Sequence, residues 1–175
     1  MSESSHPLVR LAEQAITTYI RERYSIEPPE GLFVEMPAAR NQAGVFVCLK
    51  QHGQLRGCLG TTEPAHPSLA AEVIHNAVGA ATRDPRFPPL EESELGGLLI
   101  SVDVLGQSEP VQDLAALDPR RYGLIVRSGD RHSVLLPDIE GIESVDEQLA
   151  TARQKAGLGA DDPVDLFRFE VTRYY

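Results

Sequence analysis

The order in which helix and strand patterns follow one another along these 175 residues constrains the fold more than any other feature. Residues 7–24 carry apolar side chains at helical spacing, and the later segments alternate between hairpin-like and helical patterns. The predicted order is helix, hairpin, helix, strand, hairpin, helix and strand. Because the strands come in hairpins, the chain is predicted to be α+β, with packed helices and a mainly antiparallel sheet.

Three helices are predicted from apolar spacing and from the residues that begin and end them. The first covers residues 7–24, with Pro7 at its first position, and Pro28–Pro29 stops its continuation. The second opens after Pro67, covers residues 68 to 82 and ends at Asp84–Pro85. Its apolar face is predicted to be Leu69, Ala70, Val73, Ile74, Ala77 and Ala81. Its polar face is predicted to be Glu72, His75, Asn76, Gly79 and Arg83. The third covers residues 145–156 and is capped by Gly157.

The strands are predicted as two hairpins and two single strands. The first hairpin pairs residues 44–50 with residues 55–61 around a turn at 51–54, and residues 98–105 form a third strand. The second hairpin pairs residues 123–127 with residues 132–136. A closing strand is predicted over residues 167–172.

Composition and charge exclude several classes of protein. Hydrophobic residues make up 42% and charged residues 24%, which excludes a disordered or collagen-like chain. The net charge of −10 argues against a dedicated nucleic-acid binder and against docking on anionic lipid. No stretch of apolar residues is long enough to predict a transmembrane helix, and residues 1–7 lack the pattern of a signal peptide. Two cysteines are too few for a disulfide framework or a Cys-only zinc site, so a reduced cytoplasmic protein with no metal site is expected.

The segment Leu55–Thr61 (LRGCLGT) carries the main chemical signal. In a regular strand Arg56 and Cys58 share one face, about 6–7 Å apart, and Gly57 and Gly60 leave the backbone open to a ligand or another chain. A guanidinium beside a sulfur favours the thiolate and can also bind a carboxylate or phosphate. The alternative is that Cys58 is an inert packing residue, as most free cysteines are.

The second cysteine, Cys48, is expected to be a core residue. If the turn places Lys50 opposite Leu55, strict alternation places Cys48 opposite Gly57 and Val47 opposite Cys58. The two sulfur atoms would then lie on opposite faces of the hairpin. An internal disulfide is therefore not expected.

Two further sets of polar residues are candidates for a site. The loop after the second helix is stiffened by Pro85, Pro88 and Pro89, which would hold Asp84 and Arg86 in place at a binding rim. The alternative is a helix stop with a solvated ion pair. His75 and His66, and less plausibly the turn residue His52, are candidate bases, although a lone histidine on a helix is more often an ordinary surface residue.

These segments together resemble the AMMECR domain family. The resemblance is carried by Leu55–Thr61, by Pro64 and Pro67, by Ala80–Ala81 and by Asp84–Phe87, and it extends over almost the whole chain. It implies a single AMMECR-like domain over residues 1–175, built of two closely joined subdomains with the RGC motif in a cleft near their junction. It also implies protein A of a three-part system, with a Memo-like protein and a radical SAM protein as partners. The family residues carried over are Arg56, Gly57, Cys58, Gly60, Thr61, Asp84, Arg86 and Phe87.

The leading hypothesis is an enzyme, or a catalytic component, that acts on a small anionic molecule. Cys58 would be nucleophile or general acid, Arg56 and Arg86 would hold the anion, Asp84 would orient an arginine, and His75 or His66 would be the base. Gly57, Gly60, Thr61 and Phe87 would complete the binding site, and no cofactor is assigned. The main alternative is a non-catalytic partner of the Memo-like and radical SAM proteins. Nucleic-acid modification ranks third, because only scattered arginines support it.

Overall fold

A computed structural model of the chain describes residues 5–175. Residues 1–4, which belong to the predicted domain and to the signal-peptide argument, lie outside the described residues. The chain divides into two units: one runs up to Val104 and includes Arg173–Tyr175, and the other comprises Leu105–Thr172. The α+β class and the antiparallel pairing are confirmed, but the strands form two four-stranded sheets. Within the described part of the chain, no helix is long and apolar enough to cross a membrane.

The first unit packs helices on one face of its sheet. Its helices are α1 (Pro7–Glu22), α2 (Glu30–Glu35) and α3 (Leu69–Thr82), and 3₁₀ turns cover Pro37–Arg40 and Glu92–Gly97. Its strands β1 (Val45–Gln51), β2 (Gln54–Thr61) and β3 (Leu98–Leu105) are joined by β8 (Val171–Tyr174) in the order β2-β1-β3-β8. Strand β2 therefore lies at an edge of the sheet.

Helix α1 begins at Pro7, as its sequence predicts, and Arg23 ends it in the left-handed conformation with φ 61°. Its apolar stripe is buried except at the partly buried Tyr19, and it contributes Leu8, Ala12 and Ile16 to the core. The short helix α2 was not predicted. It begins directly after Pro29, whose extended backbone directly precedes the first helical turn.

Helix α3 is buried on both sides, which corrects the predicted polar face. The predicted apolar face is buried, and Ser68 caps the helix by accepting a hydrogen bond from the N–H of Ala71. However, Glu72, Asn76 and Gly79 are also buried. The helix lies between α1 and the β1–β2 hairpin, so a second face must also be covered. Glu72 accepts hydrogen bonds from Thr61 Oγ1 and from the N–H groups of Ala65 and His66. The Asn76 amide nitrogen donates to the carbonyl of Val45 and to Thr61, but Asn76 Oδ1 is buried with no hydrogen-bond partner among residues 5–175.

The β1–β2 hairpin turns at His52 and Gly53, which both have positive φ. Lys50 lies opposite Leu55, as expected, but a β-bulge follows, and Arg56 is its extra residue. The bulge moves the register by one, so Cys48 lies directly opposite Cys58. Their Cα atoms are 4.1 Å apart and their sulfur atoms are bonded. The expectations of sulfurs on opposite faces and of no internal disulfide were therefore wrong, because strict alternation fails at a bulge.

Each sheet contains a glycine beneath a phenylalanine of the neighbouring strand. Gly60 is paired with Phe46 in the first sheet, and Gly123 is paired with Phe169 in the second. A Cβ added to either glycine would overlap the opposite ring. Both glycines therefore provide the space in which an aromatic side chain lies flat across the strand.

The second unit has a smaller core between one helix and its sheet. Its strands are β4 (Glu109–Val111), β5 (Gly123–Ser128), β6 (Arg131–Leu135) and β7 (Asp165–Phe169), in the order β4-β7-β5-β6, and its helix is α4 (Val145–Lys155). The predicted closing strand was wrong as a single element. It is interrupted at Glu170, so that β7 joins the second sheet and β8 joins the first.

Candidate active site at the edge of strand β2

The carboxylate of Asp84 connects the loop after α3 to the outer edge of β2. The Cα separation of Cys48 and Cys58 is short, as in antiparallel pairs that share no backbone hydrogen bonds. The N–H of Cys58 therefore points away from β1, toward the sheet edge. Asp84 Oδ2 accepts this N–H at 2.9 Å, and the Asp84 side chain is only 3% exposed.

The same carboxylate holds Arg86 in a fork. Oδ1 of Asp84 accepts from the backbone N–H and Nε of Arg86, both at 3.0 Å, and Oδ2 accepts from Nη2 at 2.8 Å. The hydrogen bonds from the Arg86 side chain, aided by the two backbone N–H groups, hold the pKa of Asp84 well below its usual range. The Arg86 side chain is 56% exposed, and its Nη1 has no hydrogen-bond partner among residues 5–175. One edge of this guanidinium is therefore available to a ligand.

Phe87 lies close to two guanidinium groups. Its ring centroid is 5.6 Å from Cζ of Arg86 and 5.9 Å from Cζ of Arg56. Both distances allow a cation–π attraction. The structure therefore brings Cys58, Asp84, Arg86, Phe87 and Arg56 together along one edge of the sheet.

Arg56 is occupied by partners within the protein. Its Nε and Nη2 donate to Glu94 at 2.7 and 3.0 Å, and its Nη1 donates to the carbonyl of Pro88 at 3.0 Å. Its side chain is 14% exposed. The hydrogen bond from Arg56 lowers the pKa of Glu94, which keeps the pair ionised. An anion-holding role for Arg56 stays a prediction, and its visible role is to fix the bulge against the Glu92–Gly97 turn.

Three other predicted site residues contact the rest of the first unit rather than this edge. A Cβ on Gly57 would overlap the carbonyl of Ala80, so this glycine admits the backbone of α3. Gly60 is covered by Phe46, and Thr61 Oγ1 donates to Glu72 at 2.7 Å. The expectation that these glycines leave the backbone open to a ligand was wrong, since α3 and Phe46 take that space.

The candidate bases form a separate cluster on the outer side of α3. The rings of His66 and His75 have centroids 4.4 Å apart, and Nη2 of Arg83 lies 3.3 Å from Nε2 of His75. Burial, and then repulsion by His66 and Arg83, lowers the pKa of His75, although Glu72 opposes the shift. The contacts of His75 are to this cluster and not to Cys58. Its role as a base for Cys58 stays a prediction.

Sequence reasoning missed Glu94, Glu72 and Cys48 as partners of the site. Glu94 also closes a capping box with Glu91, an E-x-x-E spacing that marks the start of the turn. Glu72 accepts from Thr61 and from the N–H groups of Ala65 and His66, a role that its position on a predicted polar face did not suggest. Within the described part of the chain, no three His, Cys, Asp or Glu side chains are grouped so that they could hold a metal.

Comparison with known proteins gives a consistent family. The sequence model of the AMMECR1 family matches residues 9–174. A Thermotoga maritima protein is 48% identical over 171 residues, which cover 97% of each chain. A Clostridium acetobutylicum protein is 39% identical over 98% of this chain, but the match covers only 36% of that protein. The crystal structure of uncharacterized protein PH0010 from Pyrococcus horikoshii is similar, with 33% identity, a TM-score of 0.87 and coverage of 95% of this chain and 88% of that chain. The chain belongs to the AMMECR1 family.

Proposed function

We propose that the protein is an enzyme, or a catalytic component, that binds a small anionic molecule at Arg86 and acts on it with the Cys58 thiol. The observation that carries this proposal is the shared carboxylate oxygen. Oδ2 of Asp84 accepts from the backbone N–H of Cys58 and from the Arg86 guanidinium. This oxygen fixes an arginine with a free edge beside the residue that carries the nucleophile.

In this proposal one residue, Arg86, binds the anion and another, Cys58, provides the nucleophile. Arg86 offers the planar donors that carboxylates and phosphates prefer, and its guanidinium lies within cation–π distance of the Phe87 ring. Asp84 neutralises part of the charge of Arg86, so the attraction to an anion is modest. The thiol of Cys58 becomes available when its bond to Cys48 is open. Either His75 or His66 would act as the general base.

The proposal is tested with two alkylating agents that differ in charge. The parent protein is Cys48→Ser, in which Cys58 is a free thiol, with Cys48→Ala as a second parent. The rate with iodoacetate, an anion, is divided by the rate with neutral iodoacetamide. If Arg86 recruits the anion, Arg86→Gln lowers this ratio about two- to fivefold, which corresponds to a half-exposed charge pair.

Two control variants separate recruitment from a change in overall charge. The double variant Asp84→Asn with Arg86→Gln keeps the local net charge at zero, and it should still show the lower ratio. Arg120→Gln removes an exposed arginine in the other unit and should leave the ratio unchanged. A ratio that stays constant across all variants rules out recruitment of an anion by Arg86.

A second candidate function is a non-catalytic partner of a Memo-like or radical SAM protein. It is favoured by the end of the first sheet, where Leu55 and Leu99 lie on either side of Lys50 and are 39% and 67% exposed. The longer Clostridium acetobutylicum relative also carries this region within a larger chain. In size-exclusion chromatography with each partner, Leu99→Asp should abolish a complex that Cys58→Ala leaves intact. Loss of the complex in Cys58→Ala alone would favour the catalytic proposal.

A further inference from the structure

We propose that Cys48 and Cys58 are a reversible dithiol–disulfide couple that exchanges electrons with an external dithiol. Opening the couple releases the Cys58 thiol to the site at the edge of β2. The release of a working nucleophile rests on the function proposed above. The couple itself does not depend on that function.

The positions of the two residues are fixed by the backbone, not by the bond between them. The bulge at Arg56 places Cys58 opposite Cys48, and the ladder continues through Val47 with Leu59 and Phe46 with Gly60. The sulfur atoms therefore stay side by side whether or not they are bonded. Opening or closing the bond requires no movement of either strand.

The fold holds this hairpin by other contacts. Only 10 positions separate the two cysteines, and the His52–Gly53 turn already joins their strands. Strand β1 is also paired along its other side with β3. The outer side of β2 is held by Asp84. A disulfide that joins two strands so firmly held adds little to the native topology, so its chemistry is the better explanation for its presence.

The pair is reachable by a small molecule. Cys48 and Cys58 are half-buried, whereas Val47 and Leu49, which point to the opposite face, are fully buried. The cysteines thus lie on the face of the hairpin that turns away from α3. An inert core pair would lie with Val47 and Leu49.

The exchange is balanced with a dithiol as the co-reactant. One thiolate of the dithiol attacks a sulfur of the pair, the Cys48–Cys58 bond breaks, and a mixed disulfide forms. The second thiol of the reductant then attacks the mixed disulfide and leaves as a cyclic disulfide. Two electrons and two protons pass to the protein, so both cysteines become thiols. The reverse sequence restores the bond.

The experiment equilibrates the wild-type protein in mixtures of reduced and oxidised dithiothreitol, traps free thiols with a maleimide and counts the labels by intact mass. We expect a single reversible transition between zero and two labels. Cys48→Ser is the matched control and should carry one label in every mixture. Circular dichroism of the reduced wild-type protein should show the same secondary structure and a cooperative thermal transition.

Two results would overturn the proposal. Two labels in the most oxidising mixture would mean that the pair does not form a bond in solution. Loss of the cooperative transition on reduction would mean that the bond is a structural staple. A reversible couple combined with a constant iodoacetate-to-iodoacetamide ratio would leave the couple standing and would refute only the anion site.

Discussion

Replacing Asp84 with asparagine should lower the free energy of unfolding by about 3 kcal/mol at pH 7. Each carboxylate oxygen accepts one part-buried backbone N–H and part of the Arg86 guanidinium. An asparagine keeps one oxygen and replaces the other with an NH₂ donor. Whichever way the amide turns, the N–H of either Cys58 or Arg86 faces another donor.

The magnitude comes from two contributions. A buried N–H left without an acceptor costs about 1–3 kcal/mol. The lost ion pair adds less than about 1 kcal/mol, because Arg86 is half-exposed and solvent screens it. For a chain of this length, a total near 3 kcal/mol corresponds to a decrease in Tm of about 6–12 °C.

Urea unfolding followed by circular dichroism suits this protein, which contains no tryptophan. The wild type and every variant should be measured with the cysteine pair in the same oxidation state. Asp118→Asn is the matched control, since its carboxylate is exposed and accepts an exposed N–H from Arg120, and we expect it to cost less than about 1 kcal/mol. A loss below about 0.5 kcal/mol for Asp84→Asn, or equal losses for both variants, would show that the two N–H groups do not depend on the Asp84 carboxylate.

The same variant has a defined pH dependence. Since the pKa of Asp84 is lowered in the folded protein, its carboxylate stabilises the fold fully above the ordinary aspartate pKa, near 4. That contribution falls as the pH decreases toward the folded-state pKa. The gap between wild type and Asp84→Asn should therefore be constant from pH 7 to 5 and should narrow below pH 4.

Two further predictions concern the two sides of α3. Gly57→Ala should lower the free energy of unfolding by about 3 kcal/mol or more, because its methyl group would overlap the Ala80 carbonyl, and urea unfolding measures this loss. Burial and the neighbouring basic groups His66 and Arg83 lower the pKa of His75, so protonation opposes folding, and the wild type should lose stability as the pH falls below about 6.5. His75→Gln should make this loss smaller in the same assay.

Each of these predictions has a matched control. Gly96→Ala adds a methyl group where, apart from its chain neighbours, no atom of residues 5–175 lies within 4 Å, so it should be tolerated. Equal losses for the two glycine variants would exclude close backbone packing as the cause. His132→Gln changes an exposed histidine of the other unit. If it flattens the pH profile as much as His75→Gln does, the cluster on α3 is not responsible.

The sequence predicted the elements whose apolar spacing is regular, and it failed where tertiary contacts override a local pattern. Helix α1 begins at Pro7 as expected, and β3 covers the predicted residues 98–105. Glu72 was assigned to a solvent-facing stripe because charge usually marks the surface. Its burial depends on donors from Thr61 and His66, which no periodicity in α3 can reveal.

The candidate site was predicted in composition but not in arrangement. Asp84, Arg86, Phe87 and Cys58 do lie together along the edge of β2. The pairing of the cysteines depends on a single extra residue, Arg56, and strict alternation cannot anticipate a bulge. A register shift of one residue therefore explains why Cys58 was predicted to be a free thiol but is bonded to Cys48.

The glycines beneath Phe46 and Phe169 restrict the order in which mutations can accumulate. Gly60 and Gly123 cannot gain a side chain while the opposite ring is present. A larger residue can therefore replace either glycine only after the opposite phenylalanine has been replaced by a smaller residue. The first step of such an exchange removes a large apolar group from its sheet, at a cost of about 3 kcal/mol. Each pair must therefore cross a less stable intermediate, and this barrier favours its inheritance as a unit.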